Sequence, residues 1–299
     1  MTARHPRSRR LAAAAGISAV ALALGACSSA AGAADGEESR EITIAAVPGW
    51  DDGNAVTELW HAVLEDEGYD VTIEYVDIAT TFLGLSAGDY DLYLGSWLPV
   101  THEDYLAQFG DDIETVGVWN SDARNVIAVN ADAPVDSLAD LAAHADAFGN
   151  RIVGTEAGAG LTRLTQDEVI PTYGLEGMEF ITSSSAAMLA ELDGAMVSGE
   201  DIAVTLWQPH WAYGEYDLKN LEDPEGAFGD AEEITILART GLAEDLPEVQ
   251  GWLSDFTMDL DRLSGLQAAL FVDNPSGEYE ERIATWIEGN RDWVDGLTA

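Results

Sequence analysis

Apolar positions along this chain recur with two different periods, and the switches between them lay out the elements. Glu41–Val47 is a β-rich run, and Val56, Leu59, Trp60, Val63 and Leu64 then recur at helical spacing within Ala55–Gly68. Val71–Val76 predicts the next strand, Thr80–Ala87 a helix, and Leu92–Leu94 a short buried strand leading to Trp97. Strand-like runs at Val126–Asn130, Arg151–Thr155 and Ile202–Leu206 alternate with predicted helices at Ser137–Ala145, Leu161–Tyr173 and Ala186–Ser198. A last strand, Glu233–Ala238, precedes an all-helical third that includes Pro247–Phe256, Leu260–Phe271 and Tyr279–Val294. Alternation of this kind marks an α/β fold in which helices cover the faces of a parallel sheet. It occurs twice, which predicts two α/β units with chain crossings near residues 130 and 231.

The N-terminal segment follows a different logic. Arg4, Arg7, Arg9 and Arg10 precede an apolar run from Leu11 to Ala26 that ends in small residues before Cys27, the pattern of a secretory signal. The run is shorter than the roughly 18 to 20 residues that cross a bilayer, and no later stretch approaches that length. Leu24-Gly25-Ala26-Cys27 resembles the bacterial lipobox, so Cys27 is the expected lipidated first residue of the mature chain. It is the one cysteine, which leaves no internal disulfide. Ser28–Arg40, poor in apolar residues, reads as a flexible tether.

Charge excludes one class of partner. Loss of residues 1–26 removes four arginines and no acid, so the formal net charge of -42 becomes about -46, with nine basic residues against 55 acidic ones. A phosphate backbone needs clustered Lys and Arg, whereas this chain has one lysine, Lys219. Hydrophobic residues still make up 47% of the sequence, so the acids clothe a globular protein.

The candidate chemistry sits where predicted strands end. Val47-Pro48-Gly49-Trp50, Gly95-Ser96-Trp97-Leu98-Pro99 and Thr205-Leu206-Trp207-Gln208-Pro209 each carry a strand into a Trp-bearing loop. Ligands of α/β sheets bind outside the carboxyl ends of strands. A single Trp at such a point is usually core, but three with exposed faces suit a quaternary ammonium, a cation that cannot donate hydrogen bonds. Gly158-Ala159-Gly160 follows a predicted strand and opens a helix, an arrangement that turns free backbone N–H groups toward an anion, or that serves as a plain tight turn. Trp60, Trp119, Trp252, Trp286 and Trp293 fall in or beside predicted elements and read as packing.

These segments together resemble the glycine betaine and choline receptors of osmoprotectant ABC importers. The carriers are Gly49-Trp50-Asp51, Trp97-Leu98-Pro99-Val100-Thr101-His102, Gly154 through Gly160, Ser183-Ser184-Ser185-Ala186-Ala187-Met188, Trp207-Gln208-Pro209-His210-Trp211 and Tyr216 through Pro224, spread over residues 41–299. The resemblance implies a two-lobed, type II periplasmic-binding-protein-like fold with the ligand in the interlobe cleft. Residues 41–130 with 232–299 would form one lobe and 131–231 the other. It implies an ammonium cage of Trp50, Trp97 and Trp207, and a ligand carboxylate held by the amides of Gly160 and Leu161 with His102 as side-chain donor. It also implies delivery of a small quaternary ammonium solute to ABC permease subunits by a monomer that meets the membrane only through a lipid anchor on its outer face. Asp51 and Glu156 are expected to pair with neighbouring groups, and His210 and Trp211 to pack behind the site. Two positions depart from the family pattern. Ala159 stands where choline binders tend to carry a polar side chain, leaving backbone donors that suit a carboxylate, and Ala157 stands where Pro is common.

The competing readings are a choline receptor of the same fold, an extracytoplasmic hydrolase and a structural surface protein. The hydrolase lacks its usual marks, since neither a Gly-x-Ser-x-Gly elbow nor a His-Glu-x-x-His pair occurs. His61, His102, His144 and His210 are too far apart in sequence to suggest a metal cluster, so no metal or cofactor is expected.

Overall fold

The computed structural model describes residues 40–274 and 277–299. The signal-like segment, the tether and Cys27 lie outside the described residues.

The first half of the fold starts with β1 (Glu41–Ala46), α1 (Asp51–Asp66), β2 (Asp70–Tyr75), α2 (Ile78–Ala87) and β3 (Leu92–Leu98). β1 pairs in parallel with β2 on one side and β3 on the other. The helical spacing read from the sequence becomes the buried face of α1, with Val56, Leu59, Trp60, Val63 and Leu64 all in the core. α2 begins one turn's capping bond earlier than its apolar pattern suggests: the Asp77 carboxylate accepts from the Thr80 amide at 3.0 Å, and Gly88 at φ 77° ends the helix.

A second parallel group contains β5 (Arg151–Val153), flanked by β6 (Glu179–Ile181) and β7 (Ala203–Gln208). Two long strands join it to the first: β4 (Ile113–Asn130) and β9 (Glu232–Arg239). The resulting order is β2-β1-β3-β9-β4-β7-β5-β6, with β8 (Leu218–Asn220) beside β4. β9 runs antiparallel to both β3 and β4, and β4 runs antiparallel to β7. The expectation of a parallel sheet is therefore corrected at the centre, where both joining strands reverse direction.

β4 changes partner along its length. Ile113 to Ala123 register with β9, and Arg124 to Val129 register with β7. Only Val126–Asn130 of this strand is legible as a strand in the sequence. Three register shifts, between Thr115 and Gly117, Val118 and Asn120, and Asn120 and Ala123, break the two-residue alternation of its first part.

The C-terminal helices Pro247–Asp255, Leu260–Phe271 and Glu280–Gly289 close the core through Val249, Leu253, Leu263, Leu266, Leu270 and Ile283. Trp60 meets Phe256 edge-on at 5.3 Å, and Trp119 is 1% exposed, so both are packing residues as their positions suggest. Trp252, Trp286 and Trp293 lie half-buried against the same core. The expected single helix over Tyr279–Val294 is two, interrupted at Asn290.

Candidate functional site

The three strand-end tryptophans converge. Trp50 follows Gly49, whose φ of 80° turns the chain out of β1 and whose missing side chain leaves room for Ser185. Trp97 and Trp207 are the penultimate residues of β3 and β7, so the strands extend further than the sequence suggests and carry the indoles rigidly instead of in loops. Cis peptides at Leu98–Pro99 and Gln208–Pro209 follow both. The indoles line a pocket of about 350 Å³, counting its mouth, together with His102, Gly160 and Leu161.

Thr101, Thr155 and Ala159, from the motifs quoted above, complete the lining together with two residues that the sequence did not single out, Asp52 and Asn125. Asp52 has the largest consequence. Its two carboxylate oxygens accept the indole N–H of Trp97 at 2.8 Å and of Trp207 at 3.0 Å. Burial raises its pKa, with the bonds from Trp97 and Trp207 acting in the opposite direction. Trp50 donates to Glu156 at 3.3 Å, and Glu156 also accepts from the Ser185 amide and hydroxyl at 2.7 and 3.0 Å. Asp51 accepts from the Trp211 indole. Burial pushes the Asp51 carboxyl up to about 7, against the Trp211 bond and with help from the neighbouring Asp52 charge. Among 55 acids no sequence signal separates Asp52 from its neighbours; its one clue is the position two residues after Trp50.

His102 is held in one protonation state by its surroundings. The backbone N–H of Trp97 donates to its Nδ1 at 2.9 Å, so the proton of the neutral ring sits on Nε2. Burial, and after it the Arg163 charge, lowers its pKa to about 3. Nε2 has no hydrogen-bond partner, although the residue is 1% exposed. The ring stacks on Trp50 with centroids 5.5 Å apart and planes 6° from parallel. Glu232 fixes the loop that presents it: its carboxylate accepts the Val100 and Thr101 amides, each at 2.8 Å, and the Thr101 hydroxyl. Asn125 donates to that hydroxyl at 2.6 Å.

Gly160 opens the helix Gly160–Leu164 directly against this loop. A Cβ at Gly160 would lie 1.9 Å from the Thr101 carbonyl oxygen, so no other residue fits without moving backbone. The first helical bond here runs from the Arg163 amide to the Ala159 carbonyl. The amides of Gly160 and Leu161 precede it, among the first-turn donors that a helix does not use internally. The lining thus combines π faces with N–H donors, and His102 and Trp50 bring the two kinds into direct contact.

His210 packs behind Trp207, with ring centroids 4.6 Å apart, and accepts the Ala212 amide on Nδ1 at 3.0 Å. Among the described residues, no grouping of three or more His, Cys, Asp or Glu is placed to hold a metal ion, and no helix is long and apolar enough to cross a membrane.

Comparison with known proteins gives the family and the fold. Residues 40–289 match the family described as the substrate binding domain of ABC-type glycine betaine transport systems. The glycine betaine/carnitine transport binding protein GbuC of Listeria monocytogenes is 36% identical over 171 residues, a match spanning 55% of each protein. Among solved structures, lactococcal OpuAC in its closed-liganded conformation with glycine betaine is similar at a TM-score of 0.79 and 28% identity, covering 87% of this chain and 99% of that one. An ABC-transporter choline binding protein in complex with choline is similar at a TM-score of 0.78 and 26% identity, covering 87% of this chain and 92% of that one. The chain belongs to the family of substrate-binding domains of ABC-type glycine betaine transport systems.

Proposed function

We propose that this protein is the extracytoplasmic solute receptor of an ABC importer, and that it binds glycine betaine or a closely related betaine and hands it to the permease. One observation carries the ligand class: three indoles and the partnerless Nε2–H of His102 line the same pocket. Indole faces attract a quaternary ammonium, each contact contributing roughly 0.5 to 1 kcal/mol at exposed sites and about 2 kcal/mol or more when water is excluded. Beside the indoles, His102 and the Gly160 and Leu161 amides are donors matched to a carboxylate. Choline would present a hydroxyl there, and Ala159 offers it no side-chain partner.

The lobes are residues 41–130 with 232–299 and residues 131–231, a division supported by the change of partner along β4, from β9 to β7. Contacts between the two parts fit a closed receptor. Arg163 donates to the Val100 carbonyl at 2.8 Å and pairs with Asp104 at 3.1 Å, while the Tyr105 hydroxyl donates to the Gly158 carbonyl at 2.9 Å. The receptor acts as a monomer, tethered through residues 28–40 to a lipid on Cys27.

Titration calorimetry with glycine betaine, proline betaine, carnitine and choline tests the reading. Trp50→Ala, Trp97→Ala and Trp207→Ala should each weaken betaine binding at least tenfold, about 1.4 kcal/mol. Unchanged affinity after removal of any two of them would refute the cage.

A further inference from the structure

Glu232 stands where several parts of the pocket wall meet. It is the first residue of β9 and pairs with Ala123, the last residue of β4 to register with that strand. One step along β9, Glu233 pairs with Leu98, the residue after Trp97 at the end of β3. Beyond Ala123, β4 takes β7 as its partner, and Asn125 is in register with Trp207. The Glu232 side chain is buried and reaches both neighbours. Its Oε2 accepts the Val100 and Thr101 amides, and its Oε1 accepts the Thr101 hydroxyl. Asn125 donates from Nδ2 to that hydroxyl at 2.6 Å and to Oε1 at 3.4 Å. The direction of this chain of bonds is fixed. A carboxylate only accepts, so the Thr101 hydroxyl gives it its one proton and accepts from Asn125 in turn. Turning the Asn125 amide over would set its oxygen against two others. Thr101 and Asn125 themselves line the pocket, and His102 is the residue after Thr101.

We propose that Glu232 is a positioning residue for ligand recognition: through Thr101 and Asn125 it ties the segment that presents His102 to the stretch of β4 paired with Trp207, and so fixes the carboxylate donor relative to the cage. Glu232 does this without touching the ligand. A betaine must meet the indole faces and the His102 N–H at the same time, so a wall that holds both in place spares the cost of ordering them on binding. Slack between them weakens a betaine more than choline, which has no carboxylate to place. This inference rests on the reading of the pocket as a betaine site with His102 as its carboxylate donor.

Exchanging the two polar groups tests the tie. Glu232→Gln keeps the shape and an oxygen for the two amides, but it turns an NH2 toward the Thr101 oxygen, where the Asn125 NH2 already donates. Asn125→Asp sets a second carboxylate beside Oε1. Each single change leaves a mismatch. Made together they reverse the direction of the bonds: the amide at position 232 donates to the Thr101 hydroxyl, which donates to the carboxylate at position 125. Calorimetry should show glycine betaine weakened about tenfold in each single variant and choline weakened less, so that the betaine-to-choline affinity ratio falls about fivefold. The double variant should bring both affinities back to within about threefold of the wild type, a strong coupling between the two positions. Thr101→Val deletes the linking hydroxyl but spares both amides, and should also lower the ratio.

If the wild type binds betaine and the two single losses simply add in the double variant, or fall equally on both ligands, the inference is wrong and the betaine reading stands. An unchanged ratio in Thr101→Val would overturn it as well, even if Glu232→Gln failed to fold. A wild type that binds neither compound overturns the functional reading, and this inference with it.

Discussion

The sharpest test separates the pocket's hydrogen-bond donors from its π faces by replacing His102. Its Nδ1 is committed to the Trp97 amide, and its pKa near 3 keeps the ring neutral, so Nε2–H is a donor throughout the physiological range. A hydrogen bond from a neutral donor to a charged acceptor contributes about 1.5 to 3 kcal/mol. His102→Ala should therefore weaken glycine betaine by roughly 10- to 150-fold through this bond alone. The same change removes the ring stacked on Trp50 and leaves a space, losses that any ligand of the cage shares. Choline measures those shared losses, and the ratio of the two dissociation constants isolates the carboxylate bond. His102→Phe, which restores a ring beside Trp50 without its nitrogens, should give the same change in ratio. The pH profile adds a check with a definite sign. An ordinary histidine would gain charge as pH falls through about 6.5 and tighten betaine relative to choline. Here the ratio should stay level from pH 8 to 5. Equal losses for both ligands, or a step in the ratio near pH 6.5, would refute the assignment.

The remaining tests bear on different levels of the structure. Gly160→Ala places a Cβ where the Thr101 carbonyl stands, at 1.9 Å, so betaine affinity measured by calorimetry should drop by tenfold or more; wild-type affinity would show that the helix start does not contact the ligand. His210 is buried with its pKa lowered to about 3, so the folded state binds fewer protons than the unfolded chain between about pH 6.5 and 3. Stability from this group is present above 6.5 and lost as pH falls toward 3. His210→Asn should therefore flatten the urea-unfolding stability profile over pH 6 to 4 by up to about 1.4 kcal/mol per pH unit, and an unchanged slope would contradict the buried neutral state. Cys27→Ala should leave the protein in the medium or with its signal uncleaved, as read by fractionation and N-terminal mass; normal retention of a chain processed elsewhere would exclude the lipid anchor.

How much of this was legible in the sequence depended on the range over which each signal acts. α1 could be read because Val56, Leu59, Trp60, Val63 and Leu64 report their burial within one helix. The tryptophans could be read because each stands just past the end of a strand predicted from the sequence, a local feature repeated three times. The first part of β4 could not, since its bulges destroy the alternation that would announce it, and the direction of β9 between β3 and β4 is fixed by pairing partners more than a hundred residues away. The acids were the least legible of all. Composition treats 55 carboxylates as one solubilising skin, yet Asp51, Asp52 and Glu232 are 7%, 3% and 2% exposed. None of the three forms a salt bridge among the described residues; what they accept are indole N–H groups and the N–H and O–H groups of the Val100–Thr101 segment. An uncompensated buried carboxylate is costly, and a structure keeps it only where several fixed donors converge. In this chain those donors are the indole edges and the loop amides. The buried acids therefore hold the indoles and loops that line the pocket, and if the proposed cage is right, a substitution among them should alter binding without touching a ligand atom.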